Sequence, residues 1–92
     1  MRFAYCIPYT YSDLLKDINE ISSVAEVATL GQTFTGINIP IVMVGKHEEK
    51  VQKQVLFITG RVHPGESNSS LMLASFMKYL CFSSEAKYLR EK

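Results

Sequence analysis

The chain has 92 residues, of which 47% are hydrophobic and 21% charged, and ten Lys and Arg against nine Asp and Glu leave a formal charge of +1. A composition this apolar excludes a disordered tail, and the length allows one small domain. The near-neutral balance excludes the basic footprint of a nucleic-acid or anionic-membrane binder, and apolar runs such as 39–44 and 55–58 fall far short of the roughly 20 residues of a membrane helix.

Residues 3–7, aromatic and aliphatic, end at Pro8 and predict a first strand. They are too short and too aromatic for a signal-peptide core, so the chain is expected to be cytoplasmic. Cys6 and Cys81 lack disulfide or metal-finger spacing and are expected to be buried thiols. The cluster Thr10-Tyr11-Ser12-Asp13 carries N-cap chemistry, and Leu14, Ile18, Ile21 and Ala25 then recur at helical spacing opposite a polar face. Asp13 and Asp17 lie one turn apart on that polar face and read as solubilising rather than catalytic.

β-branched and aromatic residues around Gly31, the turn signal Thr35-Gly36 and the run 37–44 predict a hairpin, with Pro40 at an edge or a bulge because it has no N–H for a ladder. Residues 45–53 read as a polar loop in which His47, Glu48 and Glu49 form a solvated turn. The run 55–59 is apolar on both faces and predicts a central, buried strand. Residues 67–81 then form a helix with so few polar positions that it should pack on several sides, its Met and Phe residues in the core, and 84–92 forms a short exposed helix. A buried strand feeding a buried helix is half of a βαβ unit, and no second parallel strand follows. A chain of this length buries only about 60–65% of its unfolded surface, so an incomplete α/β fold is expected, interrupted at Lys92.

Reactive residue types gather only at Gly60 to Ser70, at the carboxyl end of the predicted strand, where open α/β sheets bind their ligands. Pro64 biases His63 toward an extended backbone and Gly65 permits a sharp turn, so that His63 and Glu66 can be aimed at one point. An imidazole nitrogen and a carboxylate oxygen are two of the three protein ligands of a His₂Glu catalytic zinc. His-x-x-Glu alone is a weak signal, and a plain loop histidine beside a first-turn carboxylate favoured by the helix dipole fits the same residues. The same stretch nearly matches the phosphate loop G-x-x-x-x-G-K-[ST], but Glu66 stands where lysine should meet phosphate and Pro64 removes a backbone donor. His47 lies about 20 Å from His63 if the intervening strand is extended, too far to complete a site.

Three blocks carry a family resemblance. Phe3-Ala4-Tyr5-Cys6-Ile7-Pro8-Tyr9-Thr10-Tyr11-Ser12-Asp13-Leu14, Thr29-Leu30-Gly31-Gln32-Thr33-Phe34-Thr35-Gly36 and Gly60-Arg61-Val62-His63-Pro64-Gly65-Glu66-Ser67-Asn68 resemble the opening of the catalytic domain of cytosolic carboxypeptidases, zinc metallocarboxypeptidases of the M14 type. The resemblance implies a mixed-sheet α/β exopeptidase fold of which residues 1–92 are the N-terminal part. It implies one Zn²⁺, with His63 and Glu66 matching the first two ligands, and removal of C-terminal residues, typically glutamates, from tubulin and other protein tails. Association with microtubules or cilia belongs to the same implication. The third ligand, the general-base glutamate and the substrate-carboxylate clamp match nothing in this chain, which is therefore expected to be inactive alone. Pro64-Gly65 stands where other M14 branches place an arginine, so that substrate contact does not carry over, and Arg61 receives no role from spacing. A reading of another class is a non-enzymatic α/β module that takes up a partner at its unpaired sheet edge.

Overall fold

The computed structural model describes residues 1–46 and 54–91. Among them the order is α1 (Tyr11–Ile21), β1 (Glu26–Gln32), β2 (Asn38–Met43), α2 (Ser67–Phe82) and α3 (Lys87–Glu91). The expected turn at His47, Glu48 and Glu49, most of the expected polar loop and Lys92 lie outside the described residues.

The first helix begins at Tyr11 because Thr10 and Asp13 close a capping box. The Asp13 N–H donates to Thr10 Oγ1 at 3.2 Å, and the Thr10 N–H donates to Asp13 Oδ2 at 2.8 Å. Two otherwise orphaned backbone donors are thereby satisfied. The helix buries Ile18 and Ile21, as its periodicity predicts, and stops at Ser22, whose N–H and hydroxyl both turn back to the Asn19 carbonyl. Ile21 is fully buried and packs with Ala25 and Cys81, flanked by Val42, Val44 and Met77. Burial of such a side chain stabilises by about 1.5–3 kcal/mol.

The hairpin forms as expected. β1 and β2 pair antiparallel from Glu26 opposite Met43 to Gln32 opposite Asn38. The turn closes through the Thr33 N–H to the Ile37 carbonyl at 2.8 Å, and Gly36 takes a φ of +81°, which glycine adopts without a Cβ penalty. The register shifts between Thr29 and Gly31, across from Pro40 and Ile39. An extra residue at Leu30 thus accommodates the strand where Pro40 cannot donate.

The helix predicted at 67–81 is α2, and its C-terminal end is closed by Arg90, whose Nη1 donates to the carbonyls of Leu80 at 2.6 Å and Ser83 at 2.9 Å. Packing on several sides is not observed. Ala74 and Cys81 are buried, but Leu71, Met72 and Phe82 are exposed, so the Met and Phe positions are only partly core. The final helix is shorter than expected, Lys87–Glu91.

Two predicted strands are absent. Residues 3–7 are irregular and exposed, and Cys6, expected to be buried, is exposed with its thiol donating to Ser67 Oγ at 3.0 Å. Residues 55–59 are also irregular, and Val55, Leu56 and Phe57 are 89%, 80% and 68% exposed rather than central. Among the described residues the sheet has two strands, and neither lies beside this run. Apolar character alone does not make a strand where no ladder partner accepts its backbone. The radius of gyration, 14.9 Å, exceeds the roughly 12 Å of a compact chain of this length, in keeping with these two extended segments. The architecture is α/β, three helices with a two-stranded antiparallel sheet among the described residues, and none of those helices is long and apolar enough to cross a membrane.

Candidate metal centre

The polar loop enters α2 through two tight steps. Gly60 sits against Leu73, and a Cβ there would collide with the Leu73 side chain, whose Cγ would lie at 3.0 Å. The next residue, Arg61, has a φ of +52°, the left-handed region that costs a non-glycine residue about 1–2 kcal/mol. The sequence suggests Gly65 as the position with unusual backbone freedom. The structure puts it at Arg61 instead.

Beyond Arg61, the Glu66 N–H donates to the His63 carbonyl at 3.1 Å, forming a turn over Pro64 and Gly65. Glu66 is the N-cap residue of α2, and its side chain makes no capping bond. Its carboxylate faces the imidazole, with His63 Nδ1 and Glu66 Oε1 2.9 Å apart. Both side chains are open to solvent, at 78% and 51% exposure. A contact this exposed contributes little to stability. The Ser69 hydroxyl donates to the Glu66 carbonyl at 2.6 Å, a bond within the first turn that leaves the helix start without a side-chain cap.

The two groups are of the types that hold zinc, a nitrogen and a carboxylate oxygen. Donors each about 2.0–2.2 Å from one tetrahedral ion lie about 3.4 Å apart, so the hydrogen-bonded pair at 2.9 Å would open by about half an ångström to admit one. Among the described residues no third His, Cys, Asp or Glu joins them. An open apolar cavity of about 720 Å³, lined by Ile58, Thr59, Leu73 and Phe76 among others, touches Ser69 but neither His63 nor Glu66.

Asp13 and Asp17, read as solubilising, have structural partners. Thr10 holds the Asp13 carboxyl below its ordinary range. Asp17 receives Lys78 Nζ at 2.7 Å on one oxygen and the Tyr9 hydroxyl at 2.6 Å on the other, and these donors, Lys78 foremost, hold its carboxyl low. Lys78 also meets Glu20 at 2.8 Å, and the two carboxylates raise its pKa. Burial, then Asp17, pushes the Tyr9 hydroxyl up, and burial does the same to the Cys81 thiol.

Arg61, left without a role by spacing, is the best-connected side chain of the loop. Its guanidinium donates from Nη1 to the Tyr9 carbonyl at 2.9 Å and from Nε to the Pro64 carbonyl at 3.2 Å, and its own N–H donates to Ser69 Oγ at 2.7 Å. Tyr9 and Arg61 stand 52 residues apart, a separation at which no local pattern signals a contact. A hydroxyl in the first turn of a helix, such as Ser69, is the one sequence cue to this arrangement.

Comparison with known proteins bears on the same stretch. A family model for zinc carboxypeptidases, the M14 peptidases, matches residues 11–91. The chain is 34% identical over 100 residues to cytosolic carboxypeptidase 2 of Xenopus tropicalis, covering 97% of this chain and 10% of that protein. It is 36% identical over 100 residues to cytosolic carboxypeptidase 6 of Mus musculus, covering 98% and 18%. With cytosolic carboxypeptidase 6 of Caenorhabditis elegans the identity is 34% over 86 residues, covering 87% and 19%. The chain thus spans about a tenth to a fifth of the length of these relatives. No solved structure matches it. The match over residues 11–91, which takes in α1, the hairpin and the loop with His63 and Glu66, places the chain in the zinc carboxypeptidase family of M14 peptidases.

Proposed function

We propose that His63 and Glu66 are two of the three protein ligands of the zinc ion of a metallocarboxypeptidase, and that residues 1–92 form the N-terminal part of its catalytic domain. The observation that carries this is the 2.9 Å approach of His63 Nδ1 to Glu66 Oε1 at the start of α2, in a chain of a zinc carboxypeptidase family. The substrates would be protein or peptide C-terminal tails, with glutamate the residue removed and tubulin tails among the targets, in the cytoplasm. Zinc in such a site supplies Lewis-acid polarisation of the scissile carbonyl and an activated water. This chain's own part is to present an imidazole nitrogen and a carboxylate oxygen at the entry to one helix. Among the described residues no third ligand joins the pair, and in this reading the 92 residues alone should not turn over substrate.

The test is Zn²⁺ titration of the purified chain by calorimetry, with His63→Ala and Glu66→Ala alongside. Each variant should lose more affinity than the roughly tenfold to hundredfold that loss of an outer partner costs. Unchanged uptake by the double variant would reject the ligand pair, and zinc-dependent release of C-terminal glutamate by the 92-residue chain would reject its inactivity. A second reading, a non-enzymatic module that adds a partner's strand, is favoured by the exposed apolar run Val55-Leu56-Phe57-Ile58. It requires no zinc, and the same titration separates the two.

A further inference from the structure

We infer that Arg61 is the positioning residue that sets His63 and Glu66 against each other, an inference that rests on their proposed role as a ligand pair. Apart from the Glu66 N–H to His63 carbonyl bond that closes the turn, the loop has little else to hold it. Val62 is 70% exposed, and no Cβ on Gly65 would meet anything within 4 Å. Pro64 fixes only its own backbone angle. The loop therefore needs an internal tie if two exposed side chains are to converge.

Arg61 provides that tie from three directions. Its N–H fastens the loop entrance to Ser69 in the first turn of α2. Nε holds the Pro64 carbonyl, between the two donors, from inside the loop, and Nη1 reaches out to the Tyr9 carbonyl before α1. Tyr9 is in turn fixed through its hydroxyl to Asp17, which pairs with Lys78 on α2. The bonds close a ring from α2 through Asp17, Tyr9 and Arg61 back to α2, with the His63 to Glu66 turn hung from it.

The backbone of Arg61 points the same way. Glycine is the ordinary occupant of a φ near +52°. An arginine tolerated there is over-determined by its surroundings, as strained positions at functional sites are. Its planar fork places two donors in different directions from one side chain, which a lysine ammonium does not reproduce.

The variants Arg61→Gly, Arg61→Lys and His63→Ala of the 92-residue chain test this. Arg61→Gly removes the guanidinium while relieving the backbone, so metal-free thermal stability should be kept or raised. In the metal-free chain, nuclear Overhauser contacts between the His63 ring and the Glu66 side chain should be present and should vanish in Arg61→Gly. Zn²⁺ affinity should fall by about tenfold to a hundredfold, the usual effect of losing an outer partner, with a smaller loss in Arg61→Lys. Millimolar methylguanidinium should restore part of the Arg61→Gly loss and leave His63→Ala unchanged. Persistence of the His63 to Glu66 contacts in folded Arg61→Gly overturns the inference whatever the metal does. Equal zinc uptake by wild type and His63→Ala strikes the ligand assignment instead, and the proton contacts then decide the role of Arg61 alone.

Discussion

Residues 10–25 and residues 54–59 both carry apolar side chains, yet one stretch folds into a capped helix that reaches the core and the other is exposed along its length. The first satisfies its backbone from within. Its helix starts on its own capping box, ends on its own carbonyl, and presents Ile18 and Ile21 inward, Ile21 to a core that Cys81 of α2 and Val42 of β2 complete. The second depends wholly on neighbours, because a strand's donors and acceptors are met only across a ladder. The difference teaches that hydrophobicity supplies the incentive to bury, while hydrogen-bond closure decides whether burial happens.

The largest effect should follow a cut into the closed region. Ile21→Ala should cost about 2–5 kcal/mol in urea unfolding, whereas Leu56→Ala should stay within about 0.5 kcal/mol. Equal costs would mean that the 54–59 segment is packed in solution and would break the contrast. Thr10→Ala, which removes one half of the capping box, should cost about 1 kcal/mol by the same measurement, and no loss would show that the helix start does not depend on that box.

The smallest effect is a pH dependence. Asp17 is held below its ordinary 3.8 by Lys78 and Tyr9, so the folded state binds that proton less tightly than the unfolded chain. The resulting stability is full above a pH of about 4 and is lost as pH falls through the lowered value. Circular dichroism across that range should show the loss, and Asp17→Asn should remove this part of it. An unchanged acid profile in the variant would leave the Tyr9–Asp17–Lys78 contacts without energetic weight.

Elements with local signals were legible in the sequence. The helix spacing of Leu14, Ile18 and Ile21, the Thr35-Gly36 turn and the Pro40 irregularity all describe contacts within a few residues, and each appears where expected. The runs 3–7 and 55–59 misled because composition specifies a preference for burial and not the strand that would provide it. At the candidate site the convergence of His63 and Glu66 was legible from three-residue spacing at a helix start. The part played by Arg61 was not, since its two carbonyl partners include one 52 residues away and arginine is not a residue type that signals a positive φ.

The unpaired Leu30, beside the pairing of Thr29 with Pro40, has a bearing on how the chain behaves at high concentration. A bulge and a missing donor spoil the hairpin as a template on which a further chain can add. The exposed run Val55-Leu56-Phe57-Ile58 has no such guard, being uncharged, free of proline and rich in β-formers. Any aggregation of the isolated chain should therefore start from this run rather than from its sheet, and Leu56→Lys is the change expected to suppress it.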